Sequence, residues 1–432
     1  MAQKPQKPYR GEIDLLQWVV TITLLVGLAF AIYFLLLADT LRFWRTQAEA
    51  VRRLGSLDPA SFARGRPHPE ENAVPWLVAA GRPVDPHGLD WNALWKPAGM
   101  IHEGWPDVDW PRLAGLVARH RAALGVAHVA LERTGCDIGI DYKEMSLRIP
   151  EGFAQGATWQ AMAAQGFLAR LLFAEGLLAL HRGDLPGALA GARRLGRQAA
   201  CFERQPLLPF QLLGAEVEGI QHQLLADLIT RPDVTQAVLA EVPGDLAGTD
   251  VRGQYREALR YSAASNEHFI SSLLKGRGPL SRSLSSLALD RRRESYLRHL
   301  LIYLDAYGWP DERIKRELHE SPAAAELKFP TGERPSDLWY APVVLRTLAE
   351  SRDLVRLAAG WRRATLASGD CRGALAPFVA EWRRRHGAGL ELEVARTGAC
   401  TLSLRDRPGR RRTYAGVSEV DPPASFVIPA ER

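Results

Sequence analysis

From Leu15 to Ala38 the chain reads LLQWVVTITLLVGLAFAIYFLLLA, without one charged side chain. About 20 apolar residues in a helix are enough to cross the hydrocarbon core of a bilayer. In lipid the backbone groups must bond to one another, and a helix satisfies them within one segment. Trp18 near one end, and Tyr33 and Trp44 near the other, suit the two membrane–water interfaces. A cleavable signal has a shorter apolar stretch followed at once by a small-residue site. Here the stretch is longer and runs into Asp39, Arg42 and Arg45, and Ala48-Glu49-Ala50 lies too far downstream. The sequence therefore predicts an N-terminal tail over 1–14 and one uncleaved transmembrane helix over 15–38, with the lipid bilayer as first partner. Lys4, Lys7 and Arg10 precede the span, and Arg42, Arg45, Arg52 and Arg53 follow it, so the positive-inside count is nearly balanced. A short basic tail before a long soluble part is the usual single-pass arrangement of a bacterial inner membrane. It favours a periplasmic soluble part.

Residues 39–110 form a Pro/Trp-rich juxtamembrane region. Proline this frequent excludes long helices over 55–110 and leaves short ones around Ala73–Ala80 and Trp91–Trp95. From 111 to 330 the periodicity is helical. Leu113, Leu116, Val117, His120 and Leu124 share a face, and the connector GCDIGIDYKEMSLRIPEG follows. Helices are expected over about 158–181, 185–202 and 207–229, with Gly183-Asp184 as the turn between the first two. Glycine is at home past a helix C-terminus, Asp is a natural N-cap, and Pro186 falls in the first turn. Gly176, Gly183 and Ala188 have tetratricopeptide spacing, whereas Glu175 and Ala192 replace large apolar residues, and no second copy follows at about 34 residues. The reading is one TPR-like hairpin. Further helices are expected near Val251–Leu274, Ser286–Tyr307 and Pro310–His319. KFPTGERPSD at 328–337 marks a boundary. A module over 336–432 then holds helices near 338–366 and 374–385, followed by alternating LELEVA and CTLSL, with RTYAGV and SFVIPA as further strands. The fold class is mainly α: a transmembrane helix, a helical-hairpin domain and a small C-terminal α+β module with an antiparallel meander.

The net charge of +6 is spread along the chain, which disfavours nucleic acid as a partner. Four cysteines, Cys136, Cys201, Cys371 and Cys400, form no C-x-x-C pair, so no zinc site is expected. The preferred reading is four ordinary buried thiols, with a Cys371–Cys400 bridge open in an oxidising compartment. No phosphate loop, dinucleotide fingerprint, H-E-x-x-H or G-x-S-x-G occurs, so neither a cofactor nor a metal is expected. His102-Glu103 and His319-Glu320 lack a second histidine four residues on.

Three stretches carry a resemblance: ENAVPWLVAAG at 71–81, CDIGIDY at 136–142, and FAEGLLALHRGDLPGALAGARRLGRQA at 173–199 with LLPFQLLGAEVEG after it. Together they resemble a group of uncharacterised membrane-anchored bacterial proteins of planctomycetes and related lineages. The resemblance implies a C-terminal long helix and small sheet similar to those of type II pseudopilins. The Asp-Pro-hydrophobic signature that precedes those strands is absent here. No activity comes with the likeness.

Three functional classes follow. The first is a non-catalytic, membrane-anchored scaffold with a protein partner, since paired helices stack into concave binding surfaces. Arg182, Arg193, Arg194 and Arg197 on one hairpin would suit an acidic partner. The second is a membrane-anchored hydrolase using Asp137, Asp141, Tyr142 and Glu144 of the connector as an acid–base cluster. The third is nucleic-acid binding by the Arg-bearing face. Gln221, His222 and His268 lie on helices, where they would either line a groove or, as is commoner for a helical histidine, sit as partly buried polar residues.

Overall fold

The computed structural model describes residues 10–62, 67–84, 108–141, 146–147, 157–245, 250–275, 279–319, 340–386, 390–394, 400–404 and 425–428. It is mainly helical. Helix α1 runs unbroken from Arg10 to Leu54. Residues 17–35 are exposed on all sides, whereas Phe43, Ala50 and Leu54 are buried. One helix thus supplies the apolar segment and a core element. It does not stop at Ala38 because neither Gly nor Pro follows before Gly55, which ends it at φ 109°.

Helices α2 (Val74–Gly81), α3 (Trp110–Arg119) and α4 (Arg121–Leu131) come next. The single helix expected after Trp110 is in fact two. The chain leaves helical geometry at His120 (φ −98°, ψ 16°), and the turn sends Leu113 and Leu116 of α3 and Leu124 and Ala127 of α4 into one core. The expected helix at Trp91–Trp95 lies outside the described residues. A two-residue ladder, β1 (Ile140–Asp141) with β2 (Ser146–Leu147), follows.

Helices α5 (Ala157–His181), α6 (Leu185–Glu203) and α7 (Leu208–Thr230) pack on one another in chain order. Gly183 takes φ 77° at the first turn, and Asp184 Oδ1 accepts the Gly187 N–H at 2.9 Å. The three helices approach closely at two glycines. A Cβ on Gly191 would lie 3.1 Å from Gly176 Cα, and one on Gly176 would lie 2.5 Å from Leu224 Cδ2. Helices α8 (Gln236–Asp245), α9 (Val251–Leu274), α10 (Pro279–Ala306) and α11 (Asp311–Ile314) continue the chain, and α11 widens into a π turn over Lys315–His319. Helix α10 starts earlier than its periodicity suggested, with Pro279 at the first position, where a missing N–H is harmless. Helix α12 (Ala341–Ser368) turns at Gly369, φ 70°, into α13 (Cys371–His386). Beyond it, backbone 390–394 pairs antiparallel with 400–404, which pairs with 425–428. RTYAGV lies outside the described residues.

The buried apolar side chains form two cores. One gathers α2 to α8, the second half of α12, and α13. The other gathers the end of α1, Leu208 and Ala215 of α7, α9, α10, and the first half of α12. Helices α7 and α12 belong to both.

The reading of four free thiols is corrected. Cys136 and Cys201 form a disulfide with their Cα atoms 5.3 Å apart. Cys371 is also disulfide-bonded, and the side chain of Cys400, its expected partner, lies outside the described residues. A single motif could not reveal the first pairing, because it spans 65 residues and needs the connector to fold back onto the end of α6. Asn72 holds the connector there. Its Oδ1 accepts the Asp137 N–H at 3.0 Å and its Nδ2 donates to the Asp137 carbonyl at 2.9 Å. Gln205 Nε2 donates to the carbonyls of Cys136 and Cys201 at 3.0 and 2.9 Å. Two of the stretches that carry the resemblance, at 71–81 and 136–142, meet at this clamp, and Cys201 and Gln205 lie between the two parts of the third. Closing a loop of this size stabilises a fold by about 4 kcal/mol in the chain-entropy account. The double variant C136S/C201S should therefore unfold at clearly lower denaturant than the parent in detergent. Reductant should lower the parent's midpoint by more than the variant's, since the variant keeps only the bond at Cys371.

Candidate functional site

The densest buried polar cluster sits between the two cores, where α6, α7 and α12 meet. Periodicity puts Glu218 and His222, four residues apart, on one face of α7. Ser351 and Arg352 come from the middle of α12, and Glu203 from the last turn of α6. The Arg352 guanidinium grips Glu218 with both arms, Nε to Oε1 at 2.5 Å and Nη2 to Oε2 at 2.6 Å. Its Nη2 also lies 3.4 Å from Glu203 Oε2. His222 Nε2 stands 3.2 Å from Glu218 Oε1, in ion-pair range but poorly aligned for a hydrogen bond. Its Nδ1 is 2.9 Å from Ser351 Oγ. All five side chains are buried, His222 fully.

Burial alone would push the Glu218 carboxyl up. The His222 and Arg352 contacts outweigh that and hold it well below the usual carboxylate range. Two residues earlier, Glu216 points the other way, toward α5. It is 15% exposed and lies 3.4 Å from Arg170 Nη2. Here desolvation wins over the weaker Arg170 contact, and the carboxyl is pushed up to about 7. One helix thus carries two carboxylates shifted in opposite senses, and the difference is the quality of the guanidinium contact.

Ser351, His222 and Glu218 have the residue types and order of contacts of a nucleophile–base–acid chain. The chemistry differs. Ser351 is buried, and both oxygens of the Glu218 carboxylate are engaged by Arg352. The arrangement can fix three helices against one another. Among the described residues, no group of three or more His, Cys, Asp or Glu side chains is placed to hold a metal ion.

The arginines expected to face a partner stitch α6 to its neighbours. Arg193 pairs with Glu241 of α8, Arg194 lies 3.7 Å from Glu175 of α5, and Arg197 lies 2.9 Å from Glu132 beside α4. Glu175 is shared with His128 Nε2 at 2.8 Å. Arg182 is exposed at the hairpin turn. In the connector, Asp137 Oδ1 accepts the Gly139 N–H at 2.8 Å, a turn-stabilising bond. The side chain of Asp141, together with Tyr142 and Glu144, lies outside the described residues, as do His102 and Glu103. Asn72 acts mainly through the clamp on the connector, although its Oδ1 also accepts the Val74 N–H at 3.2 Å, and the Glu71 carbonyl accepts the Gly135 N–H at 3.0 Å. Gln221 and His222 are core residues and line no groove, a correction to their expected place. The i, i+4 Glu218–His222 pair was legible as a helical neighbour pair. Its partner Arg352 lies 134 residues away from Glu218 and left no local signal.

The fold defines a helical protein in which, among the described residues, one helix near the N-terminus is long and apolar enough to cross a membrane. No protein-family model, curated protein or solved structure matches the chain.

Removing one partner of a buried pair costs about 3–5 kcal/mol. Glu218→Gln should lower the unfolding free energy by that order. In the native protein the Glu218 contribution is present above the unfolded carboxylate range and fades as pH falls. Glu216 works in the reverse sense. Its raised value makes the unfolded chain release its proton first, so stability falls as pH rises from about 4.5 to about 7. Glu216→Gln should remove that decline, so that stability no longer falls between pH 4.5 and about 7, whatever offset the loss of the Arg170 contact adds at all pH values. Unfolding curves taken at intervals from pH 4 to 8 would separate the two.

Proposed function

We propose that the protein is a single-pass, membrane-anchored scaffold of the bacterial inner membrane, non-catalytic, whose helical domain faces the periplasm and holds a protein partner. The observation that carries this is the continuity of α1. The same helix that is apolar over 17–35 is packed in the domain core at Phe43, Ala50 and Leu54. A domain built onto its own anchor holds its faces at fixed height and tilt above a bilayer, which confines and orients a partner. The α5–α6–α7 array, TPR-like in its first turn, and a C-terminal α+β module similar to that of pseudopilins are the surfaces offered. The meeting of the 71–81 and 136–142 stretches at the Cys136–Cys201 clamp, with Cys201 and Gln205 between the two parts of the third, supports treating them as one unit of the planctomycete-type proteins they resemble. The disulfide favours the periplasmic side, since such bonds persist in oxidising compartments.

No observation favours the hydrolase reading: the Asp137 carboxylate is engaged by the turn it caps. Nucleic-acid binding is disfavoured by the pairing of Arg193, Arg194 and Arg197 with acids. Membrane topology is the test. A reporter active only outside the cytoplasm, fused after Arg432, should be active, and a cytoplasm-only reporter silent; the opposite pattern overturns the orientation. A photo-crosslinker at exposed Arg182 should give a discrete adduct in native membranes that weakens as salt rises. No adduct at any salt would remove the acidic-partner version.

A further inference from the structure

The membrane edge of this domain carries two large apolar side chains with no protein cover. Phe269 and Leu273, four residues apart on α9, are 58% and 48% exposed. Their place relative to the bilayer follows from contacts along three helices, taking α1 to span it as proposed above. Helices α1 and α10 run parallel. Thr40 Oγ1 donates to Asp290 Oδ2 at 2.8 Å, the Arg293 guanidinium lies 3.8 Å from the centre of the Phe43 ring, and Arg53 pairs with Asp305. Helices α9 and α10 run antiparallel. Tyr255 donates to the Tyr303 carbonyl at 2.9 Å, Tyr296 to the Ser262 carbonyl at 3.5 Å, and Arg293 Nε lies 3.2 Å from Glu267 Oε2. Helix α9 therefore runs toward the membrane. Its register brings Phe269 to the level of Asp290, and hence of Thr40. Leu273, one turn further, sits about 6 Å deeper, near the level of Leu36.

That level is the end of the apolar run of α1, which closes at Ala38. The last turns of α9 change character there. Upstream, α9 alternates buried and polar faces, while its end reads Phe269-Ile270-Ser271-Ser272-Leu273-Leu274, with apolar residues on both sides, and exposed Lys275 follows. Water is a poor surrounding for Phe269 and Leu273, whereas a headgroup–acyl boundary takes such side chains, and a lysine rooted below them reaches back to headgroup level along its apolar stem. Trp44, also exposed, stands at the same edge on α1.

We propose that the end of α9 is a second membrane contact: Phe269 and Leu273 dip into the leaflet from which α1 emerges, and the long Lys275 side chain, rooted deeper still, reaches back toward its phosphates. The occupant of this face is lipid, because the face is continuous in height with the spanning segment. With α1 it makes a two-point attachment that fixes the tilt of the domain.

The test uses the full-length chain reconstituted in phosphatidylcholine vesicles, with an environment-sensitive fluorophore on single introduced cysteines. The sites are Phe269→Cys, Leu273→Cys, Ser272→Cys, Val26→Cys and Arg256→Cys. Ser272→Cys keeps both apolar side chains in place, Val26 reports the span, and Arg256 is an exposed site at the far end of α9. Blue-shifted emission and loss of intensity with spin-labelled lipid are expected at 26, 269, 272 and 273, but not at 256. Quenching at 26 with 269, 272 and 273 behaving like 256 overturns the second contact and leaves the span intact. A lack of quenching at 26 overturns the span itself and the inference with it.

Discussion

A carboxylate sealed between two apolar cores needs a fixed counter-charge, and in this molecule Glu218 has one in Arg352. Neither group could stay charged there alone, since isolated charges are very costly in a low-dielectric interior. Together they give a two-armed contact whose geometry admits little error. The two cores on either side are held by contacts that tolerate sliding. Apolar side chains of α7 and α12 can shift by a turn and still be buried, whereas the Arg352–Glu218 fork cannot. The pair therefore sets the register of α12 on α7. It thereby places the first half of α12 in the core that holds α1, and the second half in the core that holds the hairpin. Replacing both partners with apolar residues would be the milder change, because no orphan charge would remain.

The same logic recurs where the domain meets its anchor. Asp290 is buried beside α1 and is met by Thr40 Oγ1 and by Arg293 Nη1 at 2.9 Å, while Arg293 also pairs with Glu267. The Arg293 guanidinium lies over Phe43, whose ring face is attractive to a cation. A charged group this near the end of an apolar span must be neutralised locally. Here Arg293 of α10 is shared by Asp290 and by Glu267 of α9, while Thr40 of α1 donates to Asp290, so satisfying the charges also joins α1, α9 and α10. The anchor and the domain are coupled by an electrostatic requirement as well as by packing.

What the sequence made legible was local. The apolar run and the Gly183-Asp184 turn with its cap each depend on residues a few positions apart, and each stands where its chemistry placed it. The break at His120 was missed because an unbroken apolar stripe is compatible with one helix or with two. The Cys136–Cys201 bond and the Arg352 pairing were missed for another reason. Helical periodicity tells which face is buried but not what it meets, and both partners lie far along the chain. The arginines of α6 illustrate the cost of this. Their spacing suggested a basic face, and only their neighbours on α5 and α8, and Glu132 beside α4, reveal that Arg193, Arg194 and Arg197 are paired.

The Ser351–His222–Glu218 chain tests how far residue type predicts chemistry. A histidine base is useful when its carboxylate partner is free to stabilise the imidazolium that forms as the nucleophile loses its proton. Here the carboxylate faces the imidazole but is also engaged on both oxygens by a guanidinium, which holds it as part of an ion pair between helices. The hydroxyl is enclosed by the helices that carry it, so a substrate carbonyl would have to displace the core to reach it. The same three side chains that transfer protons in an open cleft act as a tie when packed between helices, and access and counter-charge decide between the two.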